Sequence, residues 1–280
     1  MTELHVRHHG EGPAVLWLHG YTMDSSLWEP SWCSLPGWHH IGVDLPGHGG
    51  SGPLARGTTR TDVGRWVADV ARAHGAERVV ALSFGTVVAL ELALGHPDVA
   101  AHLVLGAPSV PGGGHAEGTA HRYRELLGLR RFLGPGRHLT ERWMTSPPDI
   151  FAGTEAHPEL RERVRRVVDA HPWDELGDDR MGVLTAGQVT DDELGAVRAR
   201  TLVLVGDQDM PAFHANAARL GRALPRCRVL DVPDAGHLPL LEVPARLATT
   251  IDAHLGGSDD TGSRVEGADG ASATTVSETI

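Results

Sequence analysis

The chain has 280 residues, 41% hydrophobic and 22% charged, ordinary globular proportions that exclude a mainly disordered chain or a fibre and suit one large core or two domains. Acids outnumber bases 36 to 25, a net charge of −11, and every base counted is Arg because the sequence contains no Lys. That balance disfavours a phosphate-backbone binder, and the missing Lys excludes Schiff-base and Walker-type lysine chemistry.

Cys33 and Cys227 are too few for a disulfide framework and lack metal or redox spacing, so a reducing cytoplasm is the expected compartment. Residues 1–10 hold no apolar signal region, and no run reaches the ~18 apolar residues of a membrane span, so neither export nor insertion is expected.

In chain order, short apolar runs ending in turn residues predict strands at Ala14–Leu18, His40–Asp44, Val79–Ser83, Leu103–Gly106, Leu202–Gly206 and Arg228–Val232. Apolar residues at three- and four-residue spacing predict helices at Thr61–His74, Phe84–Leu94, His214–Leu224 and Pro244–Leu255. Strand and helix in alternation predict an α/β fold, a mostly parallel doubly wound sheet covered on both faces. Residues 1–108 and 196–255 would form this core. From 109 to 195 the pattern changes to successive helices, including Thr119–Phe132, His138–Met144 and Pro158–Ala170, behind a glycine run at Gly112, Gly113 and Gly114 that reads as a hinge. The charged run Glu159–Arg166 reads as a solvated helix face. Residues 256–280, rich in Gly, Ser, Thr and Asp, read as a disordered acidic tail.

One serine stands out. Ser83 lies between a β-branched strand and an apolar helix, with Ala81 and Gly85 two positions to either side. Such a sharp turn projects a serine outward and needs small neighbours, although the stricter pattern has Gly where this chain has Ala81; an ordinary helix N-cap serine reads equally well from these five residues alone. Further segments add context. Strand Ala14–Leu18 leads into His19-Gly-Tyr-Thr22, Asp44-Leu-Pro-Gly-His-Gly-Gly-Ser51 follows the next strand, Gly206-Asp-Gln-Asp209 ends a later one, and Ala235-Gly-His237 opens a terminal helix.

Together these segments resemble the α/β-hydrolase family over residues 4–255, with a helical cap inserted at 109–195. The similarity implies a nucleophile at Ser83, an acid at Asp209 and a base at His237, the order that fold carries. Asp207 and Asp234 are the rival acids. The resemblance further implies an oxyanion hole from the main-chain N–H groups of Tyr21 and Phe84. No cofactor is expected, and no metal site, because His5, His8, His9, His39 and His40 have neither the spacing nor the helix context of a zinc motif. Trp28 and Trp143 are candidate pocket residues, although Trp28, Trp32 and Trp38 also read as core; Tyr123, Phe132, Trp143, Phe151 and Trp173 of the cap read first as packing. Arginines of the cap are candidates to pair with a substrate carboxylate. Asp44, Gly47 and His48 read as turn formers.

The implied activity is that of a serine hydrolase that splits a small-molecule ester, lactone or thioester through an acyl-enzyme. Three alternatives stay open: a non-hydrolytic ligand receptor, cyclase or lyase, a carbon–carbon bond hydrolase, and a perhydrolase or acyltransferase. The expected partner is a small-molecule substrate, with no nucleic acid and no membrane; the sequence does not determine the oligomeric state.

Overall fold

The computed structural model describes residues 3–177 and 180–257. Seven strands form one sheet: β1 (Val6–His9), β2 (Ala14–Leu18), β3 (His39–Val43), β4 (Arg78–Leu82), β5 (His102–Gly106), β6 (Arg200–Gly206) and β7 (Cys227–Val232), in the order β1-β3-β2-β4-β5-β6-β7. Six run parallel, and β1 lies antiparallel on the edge against β3, pairing Val6 with Val43 and His9 with His40.

Alternation along the central strands divides the core into two layers. Leu16, Leu18, Val79 and Ala81 pack on one face, whereas Val15, Trp17, Val80 and Leu82 pack on the other. Successive strand side chains point to opposite faces, so a strand buried on both reads as a continuous apolar run. That is why β2, β4, β5 and β6 are evident in the sequence. The edge strand β1 is not, because only Val6 is half-buried and Arg7, His8 and His9 face outward; main-chain pairing holds it.

The helices that flank the sheet start and end close to their predicted positions: Arg60–Ala73, Phe84–Gly95, Pro211–Ala223 and Pro244–Leu255. Arg60–Ala73 begins with a reciprocal cap in which the Thr59 hydroxyl accepts from the Asp62 N–H and the Asp62 carboxylate accepts from the Thr59 N–H. Phe84–Gly95 is apolar nearly all round and nine of its residues are buried, as suits a helix in the middle of the molecule.

Between β5 and β6 the chain forms a helical insertion containing Thr119–Leu133, Arg137–Trp143 and Pro158–Ala170. In Pro158–Ala170, Leu160, Val164 and Val168 are buried at four-residue spacing, and the arginines lie on the remaining faces. The glycines at the entrance are tied down more than a hinge would require. Asn216 accepts from the Gly114 N–H and donates to the Gly114 and Pro108 carbonyls; a Cβ at Gly113 would lie 2.4 Å from Asn216 Oδ1. No helix among the described residues is long and apolar enough to cross a membrane. The expected acidic tail lies, from residue 258 onward, outside the described residues.

Candidate active site

The turn from β4 into Phe84–Gly95 sets Ser83 at φ 50°, ψ −116°, a strained conformation for a residue with a side chain. Close packing enforces it. At Gly85 a Cβ would lie 2.5 Å from the Leu18 carbonyl oxygen and 2.7 Å from that of His19, both main-chain atoms. Ala81, by contrast, sits fully buried within β4 with room for its methyl, so the departure from Gly there costs nothing visible. Ser83 N–H donates to the Gly106 carbonyl (2.9 Å), and the Thr86 hydroxyl donates to the Ser83 carbonyl, fixing the turn on both sides.

Beyond the sheet's carboxyl end, Ser83 Oγ lies 2.8 Å from His237 Nε2, and His237 Nδ1 lies 3.0 and 3.2 Å from the two oxygens of Asp209. An ionised carboxylate only accepts, so the ring proton sits on Nδ1 and Nε2 is left to accept from the serine hydroxyl. Both His237 and Asp209 are buried. Glycine lets their loops meet: a Cβ at Gly206 would lie 2.2 Å from the carbonyl oxygens of Ala235 and Gly236. The rival acids are elsewhere. Asp207 is exposed and turns to the Ala235 N–H, and Asp234 is exposed beside Arg246.

One brace escaped sequence reasoning. The buried carboxylate of Glu242 accepts from the N–H groups of Gly236 (2.6 Å) and Leu238 (3.0 Å), the residues on either side of His237. Its only sequence signal was an acid in an otherwise apolar Leu-Pro-Leu-Leu-Glu-Val stretch.

The loop after β2 is held by His19. Leu45 N–H donates to His19 Nε2 (2.9 Å), which leaves Nδ1–H to donate to the Gly20 carbonyl (2.8 Å). With that carbonyl turned toward His19, the planar peptide turns its N–H, that of Tyr21, the opposite way. Burial pushes the His19 pKa below its ordinary value. Phe84 opens its helix, so its N–H belongs to the first turn and has no partner within the helix. Asp44 and His48 shape the neighbouring turn as expected: Asp44 accepts from the Ser25 and Gly50 N–H groups (both 2.8 Å).

A cavity of about 390 Å³ opens over Ser83, walled by Met23, Phe84, Val87, Tyr123, Trp143 and Phe213 among others. Trp143 reaches it from the insertion. Trp28 does not line it: it is 1% exposed and packs against Trp17 in the core, 5.0 Å between ring centroids, which corrects the pocket reading of this residue. Tyr123 also lines the cavity, Phe151 and Trp173 pack inside, and Phe132, expected to pack, is 82% exposed at the end of its helix. No Asp, Glu or Arg is among the described residues lining the cavity. Three of the insertion's arginines pair with its own acids, Arg122 and Arg142 with Glu125 and Arg130 with Asp174. No group of three or more His, Cys, Asp or Glu among the described residues is arranged to hold a metal ion.

A family model described as the alpha/beta hydrolase family matches residues 15–250. The chain belongs to that family. Relatives named as esterases and a lipase make it an enzyme of the hydrolase class. It is 30% identical to a pimeloyl-[acyl-carrier protein] methyl ester esterase of Nitrosomonas europaea, over 90% of this chain and 100% of that protein. It is also 29% identical to the dihydrolipoyllysine-residue acetyltransferase component of the acetoin cleaving system of Cupriavidus necator, over 90% of this chain but 66% of that longer protein. Among solved structures, a thermophilic esterase from Thermogutta terrifontis aligns with a TM-score of 0.73 and 26% identity, covering 92% of this chain and 94% of the other.

Proposed function

We propose that the protein is a serine carboxylic-ester hydrolase acting on small molecules whose acyl part is uncharged. The observation that carries this reading is Ser83 Oγ held 2.8 Å from the buried imidazole of His237 at the floor of a cavity whose described lining residues include no Asp, Glu or Arg.

A serine hydroxyl is a weak nucleophile at neutral pH until a base takes its proton. His237 Nε2 receives that proton as Ser83 Oγ attacks the ester carbonyl carbon, and Asp209 holds the ring's tautomer and stabilises the imidazolium. The N–H groups of Tyr21 and Phe84 receive the developing oxyanion; donors oriented in advance stabilise it better than water, and losing one costs ~10²-fold or more in rate. The tetrahedral intermediate collapses, the alcohol leaves with the proton from His237, and water, deprotonated by the same ring, then attacks the acyl-enzyme and releases the acid. The insertion serves as the cap over this chamber. Esterase-named relatives support the ester bond as the target.

The test reacts the purified chain with a fluorophosphonate and locates the adduct by mass spectrometry, with Ser83→Ala as control. Labelling at Ser83 alone is expected, with Ser83→Ala folded and retaining less than a few per cent of aryl-ester turnover. Retained turnover in that variant would overturn the assignment. A neutral butyrate ester is expected to be cleaved at least about tenfold faster than the matching hemisuccinate, because the imidazole among the described lining residues, His115, is exposed to solvent and a buried carboxylate without a cationic partner is costly; equal rates would remove the uncharged-acyl claim.

A further inference from the structure

Resting on Ser83 as nucleophile, we infer that Glu175 and His171 of the insertion are positioning residues that hold the oxyanion loop, so that the insertion contributes to the chemical step as well as to substrate choice. The Tyr21 hydroxyl donates to Glu175 Oε1 at 2.6 Å, across 154 residues of sequence. His171 Nε2 lies 3.1 Å from the same oxygen and donates to it. The His171 and Glu175 side chains are 1% and 4% exposed.

A second contact fixes the neighbouring residue. Trp143 Nε1–H donates to Thr22 Oγ1 (2.8 Å), and that hydroxyl donates to the Tyr21 carbonyl (2.7 Å). Thr22 sits at φ 61°, which a β-branched residue adopts only when its surroundings impose it. Tyr21 is therefore held at both ends, its main chain by His19 from the sheet side and by Thr22, itself fixed by Trp143, and its phenol by Glu175 of the insertion.

Energetics favour a positional role. A buried carboxylate is costly unless well paired, and apolar side chains of similar size would seal the insertion at least as well. The polar arrangement instead fixes distance and direction at the loop whose main-chain N–H must meet the oxyanion within about 0.5 Å. Around the group, the His48 ring lies 4.8 Å from that of His171 and 5.9 Å from Tyr21. Burial pushes the Glu175 carboxyl up, but donation from His171 and Tyr21 outweighs it, and the net direction is below the ordinary value.

The experiment uses the full chain and measures kcat and KM on a neutral aryl ester, together with inhibition by a trifluoromethyl ketone, whose adduct carries an oxyanion. Glu175→Ala is expected to lower kcat about 10- to 100-fold, as a displaced oxyanion donor does. KM should stay within about threefold, and ketone affinity should fall in parallel with kcat. Glu175→Gln, which keeps an oxygen for Tyr21, should recover most of the loss. Tyr21→Phe removes one oxygen atom and tests the same contact should Glu175→Ala fail to fold; it should lower kcat at least about fivefold. Unchanged kcat in folded variants of an active enzyme, or a rise in KM alone, overturns this inference and leaves the nucleophile reading standing. A wild type that neither cleaves esters nor reacts with fluorophosphonate overturns both.

Discussion

At the scale of single residues, the site depends on where a side chain cannot be. Ser83 adopts its strained turn because Gly85 lets the helix start lie directly on the main chain of Leu18 and His19. Gly85→Ala would press a methyl against carbonyl groups of a central strand that cannot yield, and is expected to cost about 1–3 kcal/mol in urea unfolding and to slow fluorophosphonate labelling. Gly95→Ala, in the same helix with open space around it, should stay within about 0.5 kcal/mol of the parent. Equal effects for the two, or a gain in stability at both as helix propensity alone would give, would mean that the close approach to the strand does not decide. The Ser83, Asp209 and His237 positions were legible because each sits in a short motif tied to a strand end. Glu242, Glu175 and His171 were not, because a lone acid or histidine looks like any surface residue until the fold buries it.

At the scale of elements, legibility followed burial. Strands covered on both faces appear as apolar runs, and the buried helices show their periodicity, so both were evident. β1 is held by hydrogen bonds to β3 and carries almost no apolar signal. Within the insertion, periodicity located the helices but not which of their faces meets the cavity: Trp143 and Tyr123 do, and Phe132 points to solvent. Ile150 is a half-buried cavity wall carried by the insertion. Ile150→Ala should shift the ratio of kcat/KM values toward longer acyl chains by about tenfold, the worth of one or two methylenes in an apolar pocket. Labelling by a small fluorophosphonate should change by less than about threefold; equal losses on both readouts would contradict a role confined to substrate choice.

At the scale of the whole molecule, buried histidines set the response to acid. His40 accepts from Trp17 Nε1–H at Nδ1 and donates to the Leu35 carbonyl from Nε2, so a second proton would face an N–H donor. His19 is held neutral in the same way by the Leu45 N–H. Burial pushes His40 and His254 down to about 4, and His48 well below its ordinary value. The unfolded chain takes up these protons near pH 6.5 while the native state refuses them, so their contribution is full above that pH and is lost as pH falls toward 4. Each histidine adds a slope of up to about 1.4 kcal/mol per pH unit across that window. Urea unfolding at pH 7.5, 6 and 5 should show progressive loss of stability, and a flat profile would contradict the burial argument.

The α/β class and the alternation of strands and helices from Ala14 onward were determined by the sequence itself, because strand length and helical period are local properties, and the motifs around Ser83, Asp209 and His237 made these three candidates through the family resemblance, with Asp207 and Asp234 left as rivals. Tertiary structure decided what depends on separation in space: that Asp209 and not Asp207 reaches His237, that Trp28 lies in the core, that Arg122, Arg130 and Arg142 turn to acids of the insertion, and that Glu175 meets Tyr21. Those outcomes turn on which face of an element is covered and by what, and the covering group comes from a distant part of the chain.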